Sequence, residues 1–383
     1  MDFDLPMEHE ILRKTVRDFA EKEIKPVARE LDEKEEFSLD TCRAMGELGL
    51  FGMVVDERYG GQGMDYLAYC IAVEELARVD GSHAATIAAG NSLGIGPIYY
   101  YGTEEQKRKY LPKLCTGQAL WGFGLTEPNA GSDAGNSQTT AVLDGNEWVI
   151  NGSKIFITNA STPISLGVTV LARTGTRPDG RPELSCILVE HGTPGFEARP
   201  MKGKMMWRAS NTSELYFDDC RVPKDNLLGE RGKGFRQMLE TLDAGRLAIA
   251  AMGVGGAQGA YEMAMRYAKE RVQFGRPIAS FQVNAFKLAD MDLEIEAARL
   301  LLYKACWLKD QGRPFSKLAA MAKLYASEVM GRVVNEAVQL HGGYGLMKEY
   351  DVERFYRDQK LLTIGEGTSE IQRLVIARLI GAI

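Results

Sequence analysis

The chain has 383 residues, 45% of them hydrophobic and 26% charged, with a formal net charge of -6. It can bury a large core divided into two or three domains. Acids and bases are interspersed, so no basic block is available for nucleic acid, and no run approaches the roughly 18 apolar residues of a membrane span.

A polyanionic partner would therefore have to meet a local basic pocket, for which Lys202, Lys204, Arg208, Arg246, Arg271 and Arg276 are candidates. The opening segment MDFDLPMEHEILRK is too charged for a signal peptide, and a cytoplasmic location is expected. The six cysteines (Cys42, Cys70, Cys115, Cys186, Cys220, Cys306) include no CxxC pair and read as reduced packing residues. The four histidines lack ligand spacing, so no metal is expected.

Residues 1–120 read as a helical domain, with Ile11, Val16, Phe19, Ile24 and Val27 forming one stripe. Residues 121–232 change to a period of two and read as a β-domain. Asp144-Gly145 and Asn151-Gly152 each separate β-rich runs, and both read as type I′ hairpin turns. Further strands are expected at 167–172, 185–190 and 214–218. From 233 to 383 helix returns. Phe286, Leu293, Leu300 and Trp307 recur every seven residues, joined by Ala289 and Ala297, and predict a long helix buried by that face in a bundle. Ser369 and Gln372 have capping-box spacing at the start of a last helix.

Gly253-Val254-Gly255-Gly256-Ala257-Gln258-Gly259 has the look of a dinucleotide fingerprint. It lies in an alanine-rich helical run with no strand before it, so close helix packing is the better reading, and a nicotinamide-dependent oxidoreductase is disfavoured. The segment Phe123-Gly124-Leu125-Thr126-Glu127-Pro128-Asn129-Ala130-Gly131-Ser132-Asp133 combines glycines with hydroxyls where helical sequence gives way to β. Backbone amides of such a loop can hold a ring edge or a phosphate; alone, it would read as a domain connection.

That loop is followed in order by Phe156-Ile157-Thr158-Asn159, Arg271-Val272-Gln273-Phe274-Gly275-Arg276-Pro277-Ile278, Phe281-Gln282, Gln339-Leu340-His341-Gly342-Gly343-Tyr344-Gly345 and Glu366-Gly367-Thr368-Ser369-Glu370-Ile371-Gln372-Arg373. Together these motifs resemble the acyl-CoA dehydrogenase family over essentially the whole chain. The resemblance implies an α+β fold, with an N-terminal helical domain, a middle β-barrel domain and a C-terminal four-helix bundle. It also implies FAD as cofactor, an acyl-CoA substrate, a homotetramer, and electron-transferring flavoprotein as the electron acceptor.

By that resemblance, Phe123, Leu125, Thr126, Gly131 and Ser132 surround the flavin with Phe156, Ile157 and Thr158, the Thr158 hydroxyl lying near flavin N5. Ser132 also touches substrate. Arg271, Phe274, Phe281, Gln282, Gln339, Leu340, Gly342 and Gly343 hold the adenosine diphosphate half of FAD, largely across a subunit interface, and Thr368 and Glu370 complete the cofactor set. Asp243 and Arg246 line the CoA channel, although three-residue spacing alone describes a helix-surface ion pair. Glu366 is the base that takes the α-proton; unaided by the motifs, it would read as a capping carboxylate. The enolate is then stabilised by a flavin ribityl hydroxyl and the Glu366 N–H.

Gly365 and Gly367 flank the acyl group. Some relatives carry the base at the position of Gly245, which glycine cannot serve. Gly365 stands where the family usually has tyrosine, and this predicts room for a branched or alicyclic acyl group. No arginine occurs in Ala84-Ala85-Thr86, where glutaryl-CoA members place one, so a dicarboxylic substrate is disfavoured. The alternatives are an acyl-CoA oxidase, which is usually much longer, and a helical binding protein without catalysis.

Overall fold

The computed structural model describes residues 4–383. Its N-terminal part is helical: α1 (Met7–Phe19), α2 (Lys25–Lys34), α3 (Leu39–Glu47), α4 (Tyr66–Ala77), α5 (Gly81–Ala89), α6 (Gly96–Tyr101) and α7 (Glu104–Cys115). Side chains of Ser38, Asp65, Asp80 and Thr103 accept backbone N–H bonds at the starts of α3, α4, α5 and α7, which fixes where each begins. One π-turn, Ala20–Ile24, joins α1 to α2, and another, Gly90–Ile95, joins α5 to α6. In the second, a Cβ on Gly94 would lie 2.6 Å from the Trp121 carbonyl oxygen, so glycine is what lets the helix approach the sheet. Of the expected stripe, Val16 and Ile24 are fully buried, but Ile11 faces outward.

The middle segment holds β1 (Leu120–Gly124), β2 (Thr140–Asp144), β3 (Glu147–Thr158), β4 (Ser165–Thr176), β5 (Pro182–Glu190), β6 (Phe196–Pro200), β7 (Thr212–Pro223) and β8 (Leu227–Leu228). They form one sheet in the order β6-β7-β3-β2-β4-β5-β8, with β1 parallel to β4. Asp144-Gly145 does turn a hairpin, pairing Asp144 with Glu147, with Gly145 at φ 60°. Asn151-Gly152 does not. β3 runs straight through it, and the register against β7 slips there. The cause is tertiary. The Asn151 side-chain amide donates to Asp219 Oδ1 (3.0 Å) and accepts from the Asp219 N–H (2.8 Å), while a Cβ on Gly152 would press on Thr139. The extra residue is on β7, where Asp218 and Asp219 stand opposite Asn151 alone and Asp219 takes φ 45°, so the dipeptide faces a bulge that bends the pair rather than reversing the strand.

The C-terminal segment comprises α8 (Gly234–Glu270), a short hairpin of β9 (Val272–Gln273) and β10 (Arg276–Pro277), then α9 (Gln282–Asp310), α10 (Ser316–His341), α11 (Val352–Leu362) and α12 (Ser369–Leu379). Among the described residues, no helix is long and apolar enough to cross a membrane. α9 exists, but the predicted face is reversed. Phe286 is 62% exposed and Leu293 68%, with Leu300 and Trp307 about half exposed, while Leu288, Met291, Ile295, Ala298, Leu302 and Ala305 fill the bundle. The more regular apolar stripe thus faces away from the chain's own core.

The glycine-rich run Gly253–Gly259 lies inside α8, buried except at Gln258. Side chains at Gly255 and Gly259 would overlap the carbonyl oxygens of Glu74 and Arg78 at the end of α4, and one at Gly253 would come within 2.9 Å of the Ala326 backbone on α10. This is close helix packing. Replacing Gly255 with valine should lower the unfolding free energy by about 1–3 kcal/mol through overpacking, read as a lower urea midpoint with unchanged slope.

Candidate active site

α11 ends at Leu362, and the chain turns before α12 through residues 363–368. Gly365 N–H still bonds to the Leu361 carbonyl at 2.8 Å, after which Glu366 takes φ 53° and Gly367 φ 93°. A left-handed glutamate is unfavourable and persists only when its surroundings impose it. Three groups do so here. Lys323 Nζ, from the middle of α10, donates to the Gly367 carbonyl at 2.7 Å. The Gln372 amide, fully buried one turn into α12, donates to the carbonyls of Glu366 (3.2 Å) and Gly367 (3.0 Å). Thr368 caps α12, its hydroxyl accepting from the Ile371 N–H at 3.2 Å. The cap is therefore Thr368 and not Ser369, and Gln372 braces the preceding turn instead of closing a capping box. The Glu366 N–H has no hydrogen-bond partner among the described residues.

The turn aims the Glu366 carboxylate at α8. Its Oε2 is buried without a hydrogen-bond partner, and a side chain at Gly245 would overlap that oxygen. Burial raises the Glu366 pKa to about 7, opposed by the positive charges of Lys323 and Arg246. Arg246, also buried, is ion-paired to Asp243, whose second oxygen accepts from Ser316 at 2.7 Å. The predicted pair thus stands as an internal ion pair beside Glu366. Gly365 has open space around it: a Cβ there would meet only Leu361, at 3.5 Å or more.

Across the sheet, Phe123 and Leu125 are buried at the end of β1, and Ile157 is buried on β3. The Thr126 carbonyl accepts from Ile155 N–H at 3.0 Å, so the loop and strand are fixed side by side, with Thr126 and Thr158 partly exposed. Phe156 has φ 62° and is 62% exposed, a large ring held outward by a strained backbone. Gly131 and Ser132 stand at the rim, with nothing within 4 Å of a Cβ on Gly131. The anchor beneath them is Glu127, whose Oε1 accepts from buried Lys154 Nζ at 2.8 Å and from the Thr139 N–H at 3.0 Å. Burial works against the Glu127 charge, but Lys154 outweighs it and the carboxyl falls to about 2; burial lowers Lys154 to about 8, so both are ionised at neutral pH. Lys154 and Lys323 carry no site motif in the sequence, and Gln372, which has capping-box spacing there, braces the turn before the helix instead. A cation or amide among small apolar residues at helical spacing was the available signal for Lys323, which lies between Ala319, Ala320 and Ala326.

The remaining predicted residues form a separate group. Arg271 lies over the Tyr344 ring (5.8 Å), close to Gly342 and Gly343, and Phe274 packs edge-on to Phe281 (6.1 Å) while 95% exposed. Gln282, Gln339, Gly342 and Gly343 are exposed, and Leu340 is buried. Arg271 follows the last residue of α8, so at 1.5 Å per residue it stands about 40 Å along that helix from Gly245 and the Glu366 carboxylate. Thr368 and Glu370 stay with Glu366 at the start of α12. Nor do the six candidate cations make one pocket. Lys204 is turned onto carbonyls of Trp207 and Ser210, and Arg208 pairs with Glu35 at 2.8 Å.

Family models describe residues 6–118, 122–220 and 232–381 as the N-terminal, middle and C-terminal domains of acyl-CoA dehydrogenase. The chain belongs to the acyl-CoA dehydrogenase family. It is 54% identical over 99% of both chains to the probable acyl-CoA dehydrogenase YngJ of Bacillus subtilis. Among solved structures it matches butyryl-CoA dehydrogenase from Megasphaera elsdenii at 44% identity and TM-score 0.96, covering 99% of this chain and 100% of that one. A chain from work on the electron transferring flavoprotein of Acidaminococcus fermentans matches at 45% and 0.96, covering 99% of each. This acyl-CoA dehydrogenase is a flavoprotein oxidoreductase with FAD as cofactor.

Replacing Lys154 with methionine strands the buried Glu127 carboxylate. A loss of about 3–5 kcal/mol in unfolding free energy is expected, recovered in large part by a second change of Glu127 to leucine, both read by urea denaturation.

Proposed function

We propose that the protein removes the α-proton of a short acyl-CoA with Glu366 and passes the electrons to electron-transferring flavoprotein. The observation that carries this reading is the buried, unpartnered Glu366 oxygen set against Gly245, with its pKa raised to about 7. A base of that pKa is better matched to a weakly acidic thioester α-carbon than an ordinary carboxylate is, and it is still ionised in a large fraction at neutral pH. The unpartnered Glu366 N–H is a donor available to the thioester oxygen, where charge develops as the proton leaves. FAD, when bound, supplies the acceptor for the hydride that leaves the β-carbon.

The residues of the 123–132 loop and of β3 suit that cofactor. Phe156 presents a ring face, and Gly131 with Ser132 leaves space and backbone amides at the rim, as a flat ring system and its phosphates require. Arg271 is a cation for the pyrophosphate, but a group placed beside Glu366 does not extend 40 Å to the Arg271 of its own chain. We therefore assign Arg271, Phe274, Phe281, Gln282 and Gln339–Gly343 to the FAD of a neighbouring subunit in a homotetramer. The outward apolar stripe of α9 supports this, because an exposed heptad of large side chains needs a partner helix.

For the acyl group, the unfilled space at Gly365 favours a branched or alicyclic chain. The Ala84-Ala85-Thr86 segment is buried and carries no cation, which suits a substrate without a second carboxylate.

Changing Glu366 to glutamine should lower kcat by about 10²–10⁴-fold in anaerobic flavin-bleaching assays. In the unaltered protein kcat/KM should fall as pH drops below about 7, because the base must be ionised in the free enzyme. Gly365→Tyr should cut kcat/KM for a cyclohexane-type carboxyl-CoA far more than for butyryl-CoA. Equal effects on both would leave the branched-chain assignment without support.

A further inference from the structure

Lys323 is fully buried in α10, and its ammonium makes one hydrogen bond, to the Gly367 carbonyl. Among the described residues no carboxylate lies within ion-pair distance of it, although a buried cation without a partner is costly. The carboxylates whose charge it feels are Glu366 first and then Glu370. Conversely, Lys323 is the larger of the two positive influences on Glu366. The other, Arg246 on α8, already spends its charge on Asp243. From α4 the facing group is the Tyr69 hydroxyl, which donates to the Ala88 carbonyl at 2.9 Å and remains neutral because burial holds its pKa well up. Glu370, on the same turn as the base, is exposed.

Resting on the reading of Glu366 as the base, the structure assigns Lys323 as a positioning residue with two tasks. It clamps the carbonyl of Gly367, so that the strained turn aims the carboxylate at Gly245, and it supplies the uncompensated positive charge that keeps the base ionised before substrate arrives. Burial lowers Lys323 itself to about 8, which leaves it charged at neutral pH. The two tasks separate by substitution. Lys323→Met removes both the donor and the charge, whereas Lys323→Gln keeps an amide donor of shorter reach without the charge.

The test is the pH dependence of kcat/KM for the purified holoenzyme and these two variants, with butyryl-CoA as the probe, beside Glu366→Gln. Removing the cation disfavours the ionised carboxylate, so the acid limb should move up by about one pH unit in both variants. Activity at pH 7 should fall about fivefold and recover substantially at pH 9, with KM little changed. An acid limb that stays in place in both variants while Glu366→Gln is inactive would overturn the assignment and leave Lys323 a structural clamp. Should Lys323→Met fail to fold, Lys323→Gln decides alone. Turnover retained by Glu366→Gln would instead sink the reading of the base itself.

Discussion

The contact of the Glu366 carboxylate with the Gly245 position on α8 is the constraint on which the rest of the site depends. One side of the acid is occupied by helix backbone where any side chain would collide, so one oxygen is shut from water and loses the hydration that keeps a glutamate acidic. On the proposed reading of Glu366 as the base, a side chain at 245 and the carboxylate at 366 would compete for one space. Holding the carboxylate there requires a left-handed turn, and the cost of that turn is offset by Lys323, Gln372 and Thr368, none of which needs to touch substrate.

α8 ties this chemistry to the rest of the molecule. Near its start it carries Asp243, Gly245 and Arg246 at the carboxylate; in its middle, a stretch without side-chain bulk lets α4 and α10 come close; past its end, Arg271 and the Phe274 hairpin stand free. α8 holds Arg271 about 40 Å from the Glu366 carboxylate, so under the proposed cofactor assignment FAD binding and the association of subunits become one question. The exposed row of Phe286, Leu293, Leu300 and Trp307 fits the same proposal.

Much of this was legible in the sequence where the signal was local or came from several motifs in register. The alternation of helical and β segments, the Asp144-Gly145 hairpin and the packing role of Gly253–Gly259 needed only periodicity and context. Asn151-Gly152 misled because its local turn chemistry does not show the bulge in β7 that it meets, where the Asn151 amide pairs with Asp219. The α9 stripe misled because periodicity reports that a face is apolar, not what covers it. Lys323 and Lys154 were not legible because a single polar residue in a helix or strand carries no sign of what it will meet; Lys154 acquires its meaning only when β3 brings it under Glu127, and the Gln372 spacing suggested a cap that Thr368 makes instead. The strained backbone at Glu366 and Phe156 is likewise invisible before the fold imposes it.

The central claim is that Glu366 takes the α-proton, and it is tested most directly where oxidation cannot follow. A 3-thia-acyl-CoA, with sulfur in place of the β-carbon, can lose and regain α-protons but cannot transfer hydride. Incubated with the holoenzyme in D2O and followed by proton NMR, it should lose its α-proton signal with the unaltered enzyme and keep it with Glu366→Gln. Exchange at an undiminished rate in the Glu366→Gln protein would contradict the account.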